Sequence, residues 1–159
     1  MRRKEREVTD AGEIREILDE CKVCRLGLSD EDGIYMVPMN YGYREQDGKL
    51  ILYFHGAKEG KKVEMIRKDP RAGFEMDCGH GLQEGEKACQ YSYYFASVIG
   101  TGKAQILEDP AEKLTALEII MKHQTGKEFT EFRENPGLEK TVGIIKLEVE
   151  TYTCKRHVS

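Results

Sequence analysis

Two adjacent lysines stand at the start of a short segment with helical spacing. They are Lys61 and Lys62, they follow Gly60, and the segment that they open ends at Asp69-Pro70. At the start of a helix, free backbone N–H groups, the helix dipole and nearby ammonium groups together form a site for a phosphate monoester. The lysine pair therefore predicts a binding site for a phosphorylated cofactor.

The same two lysines have a simpler interpretation as exposed side chains of a first helical turn. A lysine near a helix N-terminus is mildly unfavourable, because its charge opposes the dipole. Two in succession need an anion or neighbouring acids to offset them, and Glu59 and Glu64 are close enough in sequence to serve. We favour phosphate binding and keep the second interpretation open.

A histidine precedes the lysine pair and is the candidate for a catalytic role. His55 follows the apolar run Leu50–Phe54 and stands beside Gly56. An imidazole titrates near neutrality and can donate a hydrogen bond to a cofactor or to a small acceptor. The alternative is a structural histidine. Of the other histidines, His80 is interpreted as an exposed loop residue, His123 as a structural cap at a helix end, and His157 as part of a tail.

The cysteines are odd in number: Cys21, Cys24, Cys78, Cys89 and Cys154. An odd number in a chain of this size, without an export signal, argues against a disulfide framework. The spacing of Cys21 and Cys24 suggests a redox or zinc pair, but Cys21 completes an apolar helical stripe and Cys24 falls in the strand that follows. We favour reduced structural thiols. The alternative is a zinc site formed by Cys21, Cys24, Cys78 and Cys89.

Composition excludes several classes of function. The 159 residues favour one domain, 1–159, with a core of its own. The net charge of −4 argues against nucleic acid as the main partner, and the short basic stretch at residues 2–6 is interpreted as a solvated tail. No apolar run approaches the length of a membrane span, and no secretory signal pattern opens the chain. We therefore expect a cytoplasmic protein without a membrane partner.

Hydrophobic spacing divides the chain into three helices and six or seven strands. The helices are expected to begin at the capping sequence Asp10–Glu13, at the lysine pair and at Asp109-Pro110. Strands are expected over Val23–Ser29, Ile34–Tyr43, Leu50–Phe54, Ala72–Met76, Ser97–Leu107 and Val142–Tyr152. The third helix is expected to face the core with Leu114, Leu117, Ile120 and Met121.

Glycine and proline mark the connections between these elements. The Asp-Gly pairs at 32–33 and 47–48 predict hairpin turns. Gly100 and Gly102 indicate a bend or the close approach of another backbone. Segments 78–87 and 124–138 are expected to be loops, and 89–94 is either a short strand or a continuation of the first loop. Strands joined by hairpins, with three helices, predict an α+β protein built on an antiparallel barrel.

Six short segments carry a more specific signal: Cys24–Gly27, Val37–Tyr43, Tyr53–Lys62, Phe74–Asp77, Ser97–Gly102 and Met121–Gly126. Their order and spacing resemble the pyridoxamine 5′-phosphate oxidase superfamily, and within it the branch that contains nitroimidazole-resistance (Nim) proteins. The resemblance covers nearly the whole chain. It implies an antiparallel six-stranded split β-barrel with flanking helices. The arginine-bearing C-terminal segment of the oxidase itself has no counterpart, so vitamin B6 oxidation is not the expected activity.

The resemblance also implies a cofactor site. The chain is expected to form a homodimer that holds FMN in a groove where two barrels meet. The residues that match the family's FMN positions are Val37, Pro38, Met39, Asn40, His55, Gly56, Ala57, Lys61, Lys62, Ser97 and Val98. Residues 37–40 offer their backbone to the isoalloxazine edge. The turn at His55 and Gly56 follows the ribityl chain, and Lys61 and Lys62 hold the phosphate. Ser97 and Val98 match a strand that approaches the ring or the tail.

The function implied by the resemblance is that of an FMN-dependent oxidoreductase. Electrons from a reduced donor, NAD(P)H among the candidates, would pass through FMN to a small acceptor such as a nitro-aromatic. The sequence has no nucleotide fingerprint, so NAD(P)H would bind on the flavin face without a Rossmann unit. The alternative, from a different class, is a non-catalytic module that binds or stores flavin or haem.

Overall fold

A computed structural model of the chain describes residues 2–158. The strands are β1 (Glu7–Val8), β2 (Val23–Asp30), β3 (Gly33–Gln46), β4 (Lys49–Gly56), β5 (Arg71–Gln83), β6 (Ser92–Ile106) and β7 (Gly143–His157). The helices are α1 (Ala11–Glu20), α2 (Lys61–Lys68), α3 (Pro110–Thr125) and α4 (Glu131–Glu134). Within these residues, no helix is both long and apolar enough to cross a membrane.

Aspartate side chains cap two of the three longer helices. Asp10 accepts a hydrogen bond of 2.9 Å from the Glu13 N–H at the start of α1, and Asp109 accepts one of 2.9 Å from the Glu112 N–H at the start of α3. These bonds satisfy backbone donors that have no partner inside the helix. The starts predicted for both helices are confirmed.

Six of the seven strands form a closed antiparallel ring. Their order around the ring is β7, β4, β3, β2, β5 and β6, and the pairing of β6 with β7 closes it. The two-residue strand β1 pairs with the C-terminal part of β7. The α+β class and the antiparallel six-stranded arrangement with flanking helices are therefore confirmed.

Strand β3 pairs with two neighbours in turn. Residues 33–40 pair with β2, and residues 41–46 pair with β4. The hairpin that leads into β4 turns at Asp47 and Gly48, whose φ angles of 53° and 76° lie in the left-handed region. A two-residue Asp-Gly turn with both φ angles positive matches the twist of the strands that it joins.

One apolar cluster fills the inside of the ring, and a second lies outside it. Inside, α1 and α2 contribute Ile14, Ile17, Leu18, Met65 and Ile66. The Tyr41 hydroxyl donates a hydrogen bond of 2.6 Å to the Leu18 carbonyl, which fixes α1 against β3. The outer cluster joins α3 to β4 and β7 and includes Ile51, Tyr53, Ala116, Leu117, Ile120 and Ile144.

Strand β5 runs further than the sequence predicts. The loop expected over 78–87 is wrong in its first part, because β5 continues to Gln83. A register irregularity between Cys78 and Gly81 interrupts its pairing with β6, and Gly79 adopts a φ of 67° there. Such a bulge absorbs an extra residue without ending the strand, so glycines in this segment did not mark a loop.

The next two boundaries also differ from the prediction. Segment 89–94 is divided between a 3-10 turn at Ala88–Gln90 and the first residues of β6, which begins at Ser92. β7 extends to His157, whose Nδ1 lies 2.8 Å from the Tyr93 carbonyl oxygen. The interpretation of His157 as a tail residue is wrong, because this end of β7 pairs with β6.

The face of α3 that packs inward is only partly the one predicted. Leu117 and Ile120 are buried as expected, but Leu114 and Met121 are only half-buried. Lys113 is buried instead and forms an ion pair of 3.2 Å with Glu139. A buried charge is tolerated when it is paired, and this pair attaches the segment after α4 to α3.

The loop expected over 124–138 contains regular structure. α3 continues to Thr125 and ends at Gly126, which takes the left-handed conformation with φ 71°. The short helix α4 and a 3-10 turn over Pro136–Thr141 follow. The polar composition that suggested a loop belongs to exposed helical turns.

Two strand glycines lie where another backbone approaches closely, as predicted. A Cβ atom on Gly100 would lie 2.5 Å from the Thr151 carbonyl oxygen and 2.6 Å from the Phe74 ring. A Cβ atom on Gly102 would overlap the Glu148 carbonyl oxygen. Both glycines therefore allow β6 and β7 to approach at the closure of the ring.

We expect Gly100→Ala to lower the free energy of unfolding by about 1–3 kcal/mol, because an added methyl must displace packed backbone. Gly73→Ala is the matched control, since the nearest atom to its added Cβ is 3.9 Å away. Urea unfolding of both variants at one protein concentration measures the difference. Equal stabilities would contradict the close packing at Gly100.

Candidate functional site

The start of α2 differs from the starts of α1 and α3. Its N-cap residue is Gly60, and no side chain of residues 2–158 accepts a hydrogen bond from the first backbone N–H groups. Gly60 has a φ of 133°, a conformation that side-chain-bearing residues rarely adopt. The local sequence therefore leaves the N-terminal donors of an eight-residue helix without a protein cap.

The Lys62 side chain folds back over the turn that follows β4. A Cβ atom on Gly56 would lie 3.3 Å from Cε and 3.5 Å from Nζ of Lys62, and 3.6 Å from the methyl group of Met39. Three of the predicted site residues, from β3, β4 and α2, therefore meet at one point. A larger residue at position 56 would displace the ammonium group.

The Lys61 ammonium group lies 4.7 Å from the centre of the Tyr35 ring, which gives a cation–π contact with β3. Among residues 2–158, neither Lys61 nor Lys62 forms an ion pair with a carboxylate. Glu59 and Glu64 therefore do not neutralise the pair. Two positive charges remain at an uncapped helix start, and this combination attracts an anion.

The turn between β4 and α2 holds the other predicted residues of this part of the site. The side chain of His55 is exposed, and Ala57 follows it on the surface. The backbones of β4 and β7 pair at Gly56 and Gly143, and a Cβ on Gly143 would lie 2.6 Å from the Ala57 carbonyl oxygen. The turn is thus held by the start of β7, while the imidazole stays open to solvent.

Alternation along the strands divides the remaining predicted residues into two sets. Val37, Met39 and Val98 point into the core of the ring. Pro38, Asn40 and Ser97 belong to the opposite, outer face, where their cross-strand neighbours are Arg25, Val23 and Asp77, in that order. Inward residues can meet a ligand only through their backbone, whereas the outer three can offer side chains.

Asn40 already has structural partners. Its Nδ2 donates to the Lys22 carbonyl at 3.1 Å and lies 3.3 Å from Oε1 of Gln124. Nε2 of Gln124 donates in turn to the carbonyls of Lys22 and Tyr41, at 3.0 and 2.9 Å. This network joins the end of α3 to the loop before β2, so the amide donors of Asn40 are occupied.

His123 belongs to the same connection. Its Nε2 lies 2.8 Å from the Cys21 carbonyl oxygen, and its ring packs 4.5 Å from that of Tyr41. Burial lowers the pKa of His123, the Cys21 hydrogen bond opposes that change, and Lys22 adds to it. His123 thus joins α3 to the residue that follows α1, and its lowered pKa favours the neutral imidazole.

Sequence reasoning missed a charged network on the outer face. Arg25 contacts Asp77 at 2.7 Å and Glu75 at 3.3 Å, and Nε2 of His80 lies 3.2 Å from Asp77. Burial raises the pKa of Glu75, and Asp77 adds to the rise while Arg25 opposes it. The signal in the sequence was a set of charged residues at outward positions of two apolar strands, Arg25 on β2 and Glu75 and Asp77 on β5.

This network borders a groove on the outer face. The groove has a volume of about 740 Å³, and its floor includes Gly27 and Gly73, which face each other across β2 and β5. Met36 and Ile99 form apolar walls, and Glu75 contributes a carboxylate. A flat floor with apolar walls suits a planar ring system or another protein surface better than a small ion.

The five cysteines are all free thiols. Cys21, Cys24 and Cys154 are buried, Cys78 is half-buried and Cys89 is exposed. Within residues 2–158, no three His, Cys, Asp or Glu side chains are placed to hold a metal ion. The zinc alternative therefore has no support from the described part of the chain.

Comparison with protein families gives one match. A model of the family described as pyridoxamine 5′-phosphate oxidase matches residues 10–156. This range includes every predicted cofactor residue. A search of curated proteins found no match.

Solved structures resemble the chain over most of its length. A candidate 5-nitroimidazole antibiotic resistance protein from Bacteroides thetaiotaomicron is 33% identical, with 94% of this chain and 85% of that chain covered and a TM-score of 0.77. A flavocytochrome from Azotobacter vinelandii is 17% identical, with 100% and 72% covered and a TM-score of 0.78. A FAD and haem binding protein from Mycobacterium smegmatis is 13% identical, with 97% and 74% covered and a TM-score of 0.75.

The partly buried His123 predicts a pH dependence of stability. Its pKa lies below its ordinary value of 6.5 in the folded chain, so the unfolded chain takes up a proton first as the pH falls. We expect the free energy of unfolding to decrease as the pH falls through 6.5 toward the folded pKa. His123→Gln, which keeps a donor for the Cys21 carbonyl, should reduce this decrease in urea unfolding between neutral and mildly acidic pH. A variant with the full wild-type dependence would contradict the assignment, and His55→Gln serves as the exposed control.

Proposed function

The chain belongs to the pyridoxamine 5′-phosphate oxidase family, and we propose that it is an FMN-binding oxidoreductase. The observation that carries the proposal is the start of α2, where uncapped backbone donors lie beside two lysines that form no ion pair with a carboxylate of residues 2–158. A phosphate monoester at this point would receive N–H donors and two positive charges. The 33% identical protein from Bacteroides thetaiotaomicron supports a relation to nitroimidazole resistance.

The residues present fit the phosphate of FMN. Gly56 has no side chain, and the end of the Lys62 side chain lies in the space that this leaves. The ammonium group is therefore in place before a ligand binds. Hydrogen bonds that involve a charged group contribute about 1.5–3 kcal/mol each. FMN is preferred over FAD in this proposal, because a terminal phosphate monoester matches a helix start with two adjacent cations.

When bound, FMN supplies hydride and electron transfer, and the chain supplies binding, orientation and exclusion of water. In this proposal the backbone of residues 37–40 faces the isoalloxazine edge, and Ser97 approaches from β6. His55, exposed and beside the phosphate turn, donates a hydrogen bond to the flavin or a proton to the acceptor. Asn40 contributes through its backbone or its side-chain oxygen, since its amide donors are occupied.

The proposal includes a homodimer that completes the site. Among residues 2–158, no helix covers the outer face of β2, β5, β6 and residues 33–40 of β3, and that face exposes Val23, Ile34, Met36 and Ile99. Exposed fractions of 80% for Ile34 and 55% for Met36 are unusual for large apolar side chains on a sheet. A second copy of the chain would cover them and would supply the wall that an open groove lacks.

The proposed acceptor is a small molecule such as a nitro-aromatic, and the proposed donor is NAD(P)H in the cytoplasm. A second candidate function is a flavin or haem carrier without turnover. It is favoured by the names of two structural neighbours, a flavocytochrome and a FAD and haem binding protein, although both are below 20% identical to this chain. Response to a donor separates the two functions.

The test is an absorption spectrum of the purified protein before and after anaerobic addition of NADPH. Flavin bands near about 375 and 450 nm that bleach would support the oxidoreductase, and nitro-aromatic acceptors should then restore them. Bands that persist with every donor would favour the carrier. His55→Ala should slow the bleaching or alter the bands, and an unchanged rate and spectrum would remove His55 from the site. Absence of flavin, even after addition of FMN, would contradict the oxidoreductase and the flavin carrier, and of these functions only the haem carrier would remain.

Replacement of both lysines tests the phosphate assignment. We expect Lys61→Ala/Lys62→Ala to raise the Kd for FMN by about 10- to 100-fold, because charge-assisted hydrogen bonds are lost. Quenching of flavin fluorescence measures the Kd. Riboflavin lacks the phosphate, so its Kd should hardly change in the same variant.

Lys68→Ala is the matched control, because Lys68 lies at the other end of the same helix and is exposed. Its affinity for FMN should equal that of the wild type. A double variant that loses affinity for FMN and riboflavin equally would show that the lysines support the fold of the site and do not read the phosphate.

The proposed dimer predicts a solution mass twice that of the chain, measured by light scattering after size-exclusion chromatography. Ile99→Lys should shift the protein to monomer and weaken its retention of FMN, because a charge would have to be buried between the copies. Leu82→Lys, at an exposed apolar residue of β5 that lies beyond the bulge and outside the groove, should leave the dimer intact. A wild-type chain that stays monomeric with FMN bound would contradict the shared site.

A further inference from the structure

Strand β3 changes its partner between Asn40 and Tyr41. Residues 33–40 pair with β2, and this ladder ends at the pair Val23–Asn40. From Tyr41 onward, β3 pairs with β4 instead. The next pair in register with β2 would be Lys22 with Tyr41, but β2 begins only at Val23. The two strands therefore separate at this point.

The side-chain amide of Gln124 occupies the position of the missing pair. Its Nε2 donates to the carbonyl oxygens of Lys22 and Tyr41, at 3.0 and 2.9 Å. A carbonyl that is shielded from water needs a donor, and here a side chain from the last turn of α3 supplies it in place of a backbone N–H. Gln124 therefore joins the residue before β2 to the first residue of β3 that pairs with β4.

This contact determines how the neighbouring amide of Asn40 is oriented. Backbone carbonyls only accept hydrogen bonds, so the contacts of Gln124 with two carbonyls identify its nitrogen. Its oxygen Oε1 then accepts from Nδ2 of Asn40, at 3.3 Å. The same Nδ2 donates to the Lys22 carbonyl at 3.1 Å. Asn40 lies on the outer surface, and its oxygen Oδ1 is the side-chain atom that it can offer to a ligand.

We propose that Gln124 is a positioning residue of the cofactor site, and that through Asn40 it selects a ring with an N–H donor at its edge. The inference rests on the proposed FMN function, in which the backbone of residues 37–40 faces the isoalloxazine edge. Isoalloxazine carries a donor of this kind, its imide N–H. In the proposed complex, Oδ1 of Asn40 accepts from that N–H, because Gln124 keeps the amide nitrogen turned away.

The network reaches β3 beside the phosphate site but from a different helix. Asn40 directly follows Met39, whose methyl group borders the contact of Gly56 with Lys62. Lys62 belongs to α2, whereas Gln124 belongs to α3. A change at Gln124 should therefore act on the ring of the cofactor, and a change at the lysine pair should act on its phosphate.

The test measures the Kd of three probes by quenching of flavin fluorescence: FMN, riboflavin, and riboflavin methylated at the imide nitrogen. Gln124→Met keeps the length of the side chain and removes its donors. We expect it to raise the Kd for FMN and riboflavin alike, by about 5- to 10-fold, as for the loss of one hydrogen bond. The methylated probe has no N–H to donate, so the substitution should leave its Kd unchanged.

Asp109→Ala is the matched control, because it removes the cap at the other end of α3 and leaves the Gln124 amide in place. Its unfolding temperature should fall, while its Kd for each probe should equal that of the wild type. If thermal unfolding shows that Gln124→Met does not fold, the comparison is made with Gln124→Ala, which also removes the donors and admits water to the two carbonyls.

Two results would overturn the inference alone: an equal rise of the Kd for all three probes, which a purely structural role predicts, or wild-type affinity for FMN and riboflavin in the folded variant. The proposed function would stand in both cases, since the wild type still binds flavin. A wild-type chain that binds none of the probes would overturn the inference together with the proposed FMN function.

Discussion

The pairing of β6 with β7 closes the ring, and this closure determines which atoms of each strand can meet a ligand. It extends from Phe95 opposite His157 to Ile106 opposite Ile145. At Gly100 and Gly102 the two backbones approach so closely that an added Cβ atom would collide with a carbonyl oxygen of β7. Once the ring is closed, every second side chain fills the core and the others form the outer surface. Val98 is committed to the core and Ser97 to the outside by this alternation alone.

The molecule has two different surfaces that a ligand could contact. The start of α2 collects charge, because Gly60 offers no capping side chain and neither Lys61 nor Lys62 has an acidic partner among the described residues. Unfavourable charges at a helix N-terminus cost about 0.3–1 kcal/mol each when exposed, so the chain gives up stability there. The outer face of β2 and β5, in contrast, offers a flat glycine floor with apolar walls. A phosphorylated planar cofactor needs both kinds of surface.

Much of this could be predicted from local sequence. The aspartate caps, the Asp-Gly turn and the continuous apolar run of β4 each depend on neighbouring residues, and the structure confirms them. The convergence of Met39, Gly56 and Lys62 was predicted only as a set of family positions. Its physical basis, a glycine that makes room for an ammonium group, depends on three elements that meet in space.

Other features depend on long-range pairing and could not be predicted in that way. β5 continues past Gly79 because β6 pairs with it beyond a bulge, which the glycine-rich sequence concealed. The occupied amide of Asn40 depends on Gln124, which is 84 residues away in the chain. Arg25 and Asp77 form an ion pair only because β2 and β5 are neighbours in the ring. In each case the missing information is the order of the strands.

The central claim is that the start of α2 is an anion site for the phosphate of FMN. A crystal structure of the protein grown with FMN tests it most directly. The account predicts a phosphate group within hydrogen-bonding distance of the first backbone N–H groups of α2 and of the Lys62 ammonium group. A phosphate bound elsewhere, with Lys61 and Lys62 directed into solvent, would contradict it.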